Sequence, residues 1–248
     1  MKINILFVTS IFLFGIILAG CSSTKETARK EKPKEVVKEV KKIHVIKNIE
    51  FEERSSIKSQ KIKSVDKISF DYSKRGKLIN GHKTSQLKYD KDGYLIETIF
   101  YNKNGKVDQD YKYQYNDDGF RIKTIRYNSE GVADKNFTYE YNKYGNKIKA
   151  TRYNMSNAME NYYVYDYDDY GNLIDDLWYG TKGDLEFKII NQYNQDGEKT
   201  GSMSYNGDDD LLNKFEYKYD KMGNIVEEIK YDSNGNPIGI VQYVYKYY

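Results

Sequence analysis

Residues 111–127 read YKYQYNDDGFRIKTIRY, and two conformational signals alternate within them. Tyr111, Tyr113 and Tyr115 recur at every second residue, with Lys112 and Gln114 between them. Successive side chains of a strand point to opposite faces, so this is a strand with one aromatic and one polar face. The phrase Tyr115-Asn116-Asp117-Asp118-Gly119 then switches to turn chemistry. An Asx side chain at the first position of a type I turn bonds nearby backbone, and the residue after the turn must accept positive φ, which Gly does freely. A type I turn followed by such a residue is a hairpin connection with a G1 bulge. The second strand carries Ile122 and Ile125. Their odd spacing puts them on opposite faces of a regular strand, so either a bulge or a two-sided strand is implied.

Outward from this stretch the same text repeats. A tyrosine stands at 89, 101, 115, 127, 141, 153, 167, 179, 193, 205, 219, 231 and 245, with steps alternating 12 and 14, so the period is 26 residues in two unequal halves. From 89 to 231 each opens a five-residue phrase. Its second place is Asp or Asn in eleven of twelve copies, Gly180 excepted, and its fifth is Gly in ten of twelve. Asn157 and Asp209 fill the other two, and they are the residues next most tolerant of positive φ. The long halves carry Phe137-x-Tyr139-x-Tyr141, Tyr163-x-Tyr165-x-Tyr167, Phe215-x-Tyr217-x-Tyr219 and Val241-x-Tyr243-x-Tyr245, with Ile189-x-Asn191-x-Tyr193 the weakest copy. Residues 49–88 belong to the same system in degraded form, with a turn phrase at Tyr72 to Gly76 and an insertion around Asn80-Gly81-His82.

The expected fold is therefore all-β: tandem hairpins in an elongated, twisted antiparallel meander, with a β-solenoid as the alternative. Helix is excluded after residue 50, because no segment there sustains a 3.6-residue period. About fourteen strands at ~4.8 Å make a ribbon roughly 65 Å wide, coiling at about 20° per strand. The repeats hold too little Leu, Ile, Val and Phe to fill a dry core between two sheets. The domains read as 1–20 export signal, 21–48 lipidated cysteine and basic tether, 49–88 irregular strands and 89–248 regular hairpins.

Lys2 followed by the apolar stretch Ile3 to Leu18 and by Leu18-Ala19-Gly20-Cys21 resembles the signal and lipobox of bacterial lipoproteins. That resemblance implies acylation of Cys21 and lipid anchoring to a membrane of the cell envelope, at the outer membrane or cell surface. Cys21 is the only cysteine, so the mature chain forms no intramolecular disulfide. The tether 22–48 holds nine Lys/Arg against four Glu and no aromatic residue, a composition too polar to fold by itself. The chain carries +3; the tether's +5 and Lys2's +1 leave −3 for 49–248, which argues against nucleic acid. The turn phrases resemble the YD repeats of RHS-type bacterial proteins. The hairpin period is similar to that of MORN-type repeats, and it implies their single-layer twisted sheets.

Catalytic signals are sparse. His44 lies in the tether and His82 in the insertion, neither in a metal-ligand spacing, so no metal and no cofactor are expected. His82 with Ser85 or Asp90 makes only an unoriented pair. The acidic knots Asp117-Asp118, Asp168-Asp169 and Asp208 to Asp210 lack the frame of a calcium loop and read as turn residues. The feature most open to function is the aromatic face: Tyr111, Tyr113, Tyr115, Tyr139, Tyr141, Tyr165, Tyr167, Tyr217 and Tyr219. Tyr presents a flat apolar body with a polar tip, suited to an envelope glycan or a protein partner. The expected function is thus a non-enzymatic interaction, adhesion or scaffold protein. An envelope enzyme or glycan-processing accessory, with a site near 49–88, is the rival class.

Overall fold

The structure, a computed structural model, describes residues 48–248. The export signal, Cys21 and the tether through residue 47 lie outside the described residues. One helix, α1 (Ile49–Ser59), precedes fourteen strands. These are β1 (Ile62–Tyr72), β2 (Leu78–Tyr89), β3 (Leu95–Tyr101), β4 (Val107–Tyr115), β5 (Arg121–Tyr127), β6 (Ala133–Tyr141) and β7 (Lys147–Asn154). They continue as β8 (Met159–Tyr167), β9 (Leu173–Gly180), β10 (Leu185–Tyr193), β11 (Lys199–Asn206), β12 (Leu211–Tyr219), β13 (Ile225–Asp232) and β14 (Pro237–Tyr247).

The turns take the conformation that their residues imply. In the β4–β5 hairpin the Gly119 amide donates to the Asn116 carbonyl at 2.9 Å, and the Asn116 side chain accepts from the Phe120 amide at 2.8 Å. Asn157 and Asp209, which stand in for Gly, also adopt positive φ, at 60° and 67°. Beyond each of these turns the register slips by one residue. Tyr115 faces Arg121 but Gln114 faces Lys123, leaving Ile122 as the extra residue. The same slip recurs at Ile96, Ile148, Ile174, Thr200 and Val226. A bulge resets the alternation of faces. That resolves the odd spacing of Ile122 and Ile125, which both lie on the outer face.

Two expectations need correction. The meander is not an open ribbon, because β1 pairs antiparallel with β14 from Ile62↔Tyr247 to Asp71↔Gly239 and closes a fourteen-stranded barrel. Sheet twist accumulates with each strand, and closure pairs the two rows of backbone groups that an open ribbon would leave bare. The solenoid alternative falls with it, since every strand pairs with its neighbour in sequence.

Residues 49–59 are helical, contrary to the all-β expectation. Asn48 caps α1 by accepting from the Phe51 amide at 3.1 Å, and Glu50 and Glu52 in the first turn suit the positive end of the helix. Only Ile57 is fully buried on it. The rest of its inward face meets a polar interior, so the sequence carries no apolar stripe at helical spacing.

Hairpin turns alternate between the two ends of the barrel, and α1 lies across the end formed by the β2–β3, β4–β5, β6–β7 and β12–β13 turns. Lys58 pairs with Asp92 at 2.8 Å, Arg54 donates to the Gly119 carbonyl at 3.1 Å, Asn48 donates to the Tyr144 carbonyl at 3.4 Å, and Asn224 donates to Gln60 at 2.7 Å. Beneath the helix Ile57, Ile62, Val65 and Tyr89 form a small core with Leu87, Leu95, Tyr243 and Tyr245 around it.

Candidate functional site

Facing partners in an antiparallel sheet share a face, so the register fixes what lines the barrel. Thr98 faces Tyr111, Tyr113 faces Thr124, Tyr139 faces Ala150, Tyr165 faces Asp176, Tyr217 faces Glu228 and Tyr243 faces Lys67. Tyr113, Arg121, Tyr139, Lys147, Tyr165 and Asp176, from six successive strands, line one space, and Glu53 of α1 lines another with Lys67, Tyr219 and Tyr243, so these side chains share the inner face of the closed wall. All nine tyrosines of the predicted face therefore point into the lumen. They are half-buried rather than buried. Among the described residues the buried apolar set is small: Ile57, Ile62, Val65, Tyr89, Ala150 and Ile240. The barrel is hollow.

The luminal rings fall into three layers. Nearest α1, Tyr115, Tyr141, Tyr167, Tyr193, Tyr219 and Tyr245 each donate to the backbone carbonyl twenty residues earlier, at 2.6–2.9 Å. The acceptors (Leu95, Arg121, Lys147, Leu173, Lys199 and Ile225) open the strands just ahead of each bulge. These tyrosines are latches, and they account for the marker residue that closes each long half, every 26 residues from Tyr115 to Tyr245. Tyr141→Phe is expected to cost about 1 kcal/mol in denaturant unfolding, because the Arg121 carbonyl loses its donor while the ring stays. No change in midpoint would show that water replaces the hydroxyl.

In the middle layer the hydroxyls meet side chains instead. Tyr139 and Thr124 lie 2.6 Å apart, Tyr217 and Ser202 2.9 Å, and Tyr243 donates to Glu228 at 3.2 Å. The layer farthest from α1 is a belt of neighbouring rings, Phe100–Tyr111–Phe137–Tyr163–Trp178–Phe187, with centroids 4.8–6.5 Å apart. Phe100 is 41% and Trp178 37% exposed although both face inward, so this end of the lumen is open to solvent. A cavity of about 210 Å³ lies between the middle layer and the belt, walled by Tyr113, Tyr139, Tyr165, Phe137 and Trp178, with Arg121, Lys147 and Asp176 in its lining. A second space of about 460 Å³ runs along α1 beside Glu53, Lys67, Tyr219 and Tyr243.

Four cations of the lumen lie over tyrosine rings: Arg121 4.5 Å from Tyr113, Lys147 4.7 Å from Tyr165, Lys199 4.7 Å from Tyr217 and Lys67 4.7 Å from Tyr243. Burial pushes the Tyr113, Tyr193 and Tyr217 hydroxyls up to about 12, so they are donors at neutral pH. Burial, only partly offset by Glu228, takes Lys199 down to about 8. Burial likewise raises Asp176, which accepts the Trp178 indole N–H at 2.9 Å. For Glu50, burial is outweighed by Lys147 and Arg121, and its pKa is lowered.

Sequence reasoning found the tyrosines but missed Trp178 and these four cations. For Arg121, Lys147 and Lys199 the signal was present at one repeat position, which reads Leu95, Arg121, Lys147, Leu173, Lys199 and Ile225 in successive units. Neither candidate pair, His82 with Ser85 or His82 with Asp90, shows a hydrogen bond between its members. His82 Nδ1 engages the Asn80 carbonyl at 2.9 Å, Ser85 is buried facing Lys67, and Asp90 accepts from the amides of its own turn. Asp168 also serves its own turn, and Asp209 pairs with Lys188 at 2.6 Å.

The outer face is different. By the same register each strand except β11 presents a charged residue outward, among them Lys88, Glu97, Lys112, Glu140, Lys149 and Glu227. Several are paired across strands, as Lys149 with Glu140 at 3.3 Å and Lys218 with Glu227 at 2.6 Å.

Fold and site together define a hollow antiparallel barrel with an aromatic, charge-bearing lumen, one end covered by a helix. No protein-family model matches the chain, and no curated protein matches it. Among solved structures it is similar to a porin-like protein from Bacteroides uniformis, at 10% identity and TM-score 0.37, over 75% of this chain and 97% of that one. It is also similar to a DUF1329 family protein from Desulfovibrio piger, at 12% identity and TM-score 0.35, over 78% and 88% of the two chains. A third likeness is to the Tc holotoxin pore of Photorhabdus luminescens, at 13% identity and TM-score 0.30, over 65% of this chain and 10% of that one. Scores of this size assign no function.

Proposed function

We propose that this protein is a lipid-anchored bacterial envelope lipoprotein that captures a small glycan in a hollow barrel and performs no chemistry on it. The observation that carries the reading is the belt from Phe100 to Phe187, six neighbouring rings at the solvent-open end of the lumen. A sugar ring offers apolar C–H faces and a rim of hydroxyls. Aromatic faces take the first, and the tyrosine, Thr124, Asn161 and Asp176 polar groups take the second.

The outward charges favour a barrel in water over one that spans a bilayer. A Lys or Arg on the lipid face costs about 2–4 kcal/mol at the midplane, and membrane barrels keep an apolar outer band around a polar interior. Here an outer band of that kind is interrupted by charges, such as Lys88, Glu97, Lys112, Glu140, Lys149 and Glu227. Membrane attachment falls instead to Cys21 and the basic tether, whose lysines gain on the order of 1 kcal/mol each near an anionic surface.

The chain has one tryptophan, Trp178, and it stands in the belt as a built-in reporter. Titration of the full chain with a neutral gluco-oligosaccharide is expected to change its emission saturably, with affinity lost in Phe137→Ala/Tyr163→Ala. A flat titration, or equal affinity in the double variant, would remove the glycan reading. Fatty-acid labelling is expected for the wild type and not for Cys21→Ser.

A further inference from the structure

Toward the open end the inward cations Arg126, Lys135 and Arg152 are paired with Asp134 and Glu160. Deeper in the lumen Lys67, Arg121, Lys147 and Lys199 share the wall with Asp176 and Glu228, and Glu50 and Glu53 of α1 lie beside them. Of these four cations only Lys147 has a carboxylate at ion-pair distance, Glu50 at 3.1 Å. Arg121 is enclosed by Tyr113, Tyr115 and Tyr139, and its Nη2 donates weakly to the Tyr115 hydroxyl at 3.4 Å. Its Nε has no partner although it is buried. A buried guanidinium donor left unmade costs about 1–3 kcal/mol. Arg121 also lines the 210 Å³ cavity together with Lys147, Thr124 and Trp178.

We infer that this cavity is an anion subsite, and that the glycan bound in the lumen is an acidic one, its carboxylate received by Arg121 and Lys147 while its ring packs on Tyr139, Tyr165 and Trp178. The inference rests on the glycan reading above and names its ligand class. Three features support it independently of that reading: an unsatisfied guanidinium donor, a second cation lining the same space, and a cavity of limited size. At about 30 Å³ per water, 210 Å³ holds roughly seven waters, about the room one sugar ring needs. Glu50 and Glu53 show the same preference from the other side, since the chain itself supplies two carboxylates to this lumen. Asp176 is held by the Trp178 indole and is an acceptor for sugar hydroxyls.

The test compares a neutral gluco-oligosaccharide with the oligoglucuronate of equal length, on the full chain and on Arg121→Gln, by Trp178 fluorescence and calorimetry. Charge-assisted bonds are roughly twice as strong as neutral ones, so the oligoglucuronate is expected to bind at least about tenfold more tightly. Arg121→Gln should remove that preference, bringing the affinities for the two oligomers to within about twofold of each other, whatever its effect on binding as a whole. Equal wild-type affinities for the two oligomers overturn the anion assignment and leave the glycan reading standing. Failure of both oligomers to bind overturns the two together. Should Arg121→Gln not fold by circular dichroism, the wild-type affinity ratio and its change in Lys199→Gln, where a smaller loss is expected, still decide.

Discussion

Raising the pH from 10 to 12 is expected to unfold the barrel. Tyr113, Tyr193 and Tyr217 are pushed up to about 12 by burial, and Tyr141, Tyr165, Tyr167, Tyr219, Tyr243 and Tyr245 lie higher still. An unfolded tyrosine releases its proton near 10. Above that value the unfolded state binds fewer protons than the folded one, so stability falls as pH rises. At pH 12 each of the first three costs up to about 2.7 kcal/mol, an upper bound because each ring is only half-buried. Three together approach about 8 kcal/mol, against the 5–15 kcal/mol that holds a typical domain. Lys199 works the other way over a lower window. Its folded value near 8 lies below the unfolded 10.5, so the unfolded state binds the extra proton between those values and stability rises there. The expected profile climbs gently above pH 8 and collapses beyond 10. Tyrosinate absorbance and the β-sheet circular dichroism should then change together in one cooperative step. Tyrosines ionising near 10 with the sheet intact would contradict the buried latches.

Gly93→Ala is expected to lift α1 from its end of the barrel, whereas Gly105→Ala should be only mildly destabilising. Both glycines follow a type I turn and have positive φ, 85° and 74°. Both substitutions pay the same left-handed penalty of about 1–2 kcal/mol. They differ in surroundings. A Cβ on Gly93 would run into the Arg54 carbonyl oxygen and come within 3.1 Å of the Lys58 amide, while Gly105 has nothing within 4 Å. Both obstructing groups are helix backbone and cannot swing aside. Accommodating the methyl means moving α1 away from the Lys58–Asp92 pair, the Arg54–Tyr94 contact at 4.4 Å and the Phe51–Phe120 contact at 5.3 Å. Gly93→Ala should therefore lose at least about 2 kcal/mol more than Gly105→Ala, and protease should cut α1 earlier. Equal losses would mean that the helix is not seated on the β2–β3 turn.

Local chemistry made much of this protein legible. Asn116 and Gly119, repeated through every unit, fix a hairpin because the turn needs an Asx acceptor and a positive φ. Tyr111, Tyr113 and Tyr115 mark one face because strand side chains alternate. Strand number, order and shared face all follow from such short-range constraints, as does the turn conformation of Asn157 and Asp209. Three things needed the tertiary structure. Closure depends on β1 meeting β14, residues about 180 apart, and no local signal distinguishes a ribbon that stops from one that meets itself. The inward side of the sheet depends on closure as well. Only a closed wall turns Tyr113, Tyr139 and Tyr165 from a flat platform into a lumen, and gathers Arg121, Lys147 and Glu53 from separated elements into one site. Helix α1 was hidden for a related reason. A helix that packs on an apolar core advertises an apolar stripe, but this one lays Glu50, Glu53 and Arg54 into a polar cavity, and its fit is set by partners on four distant turns.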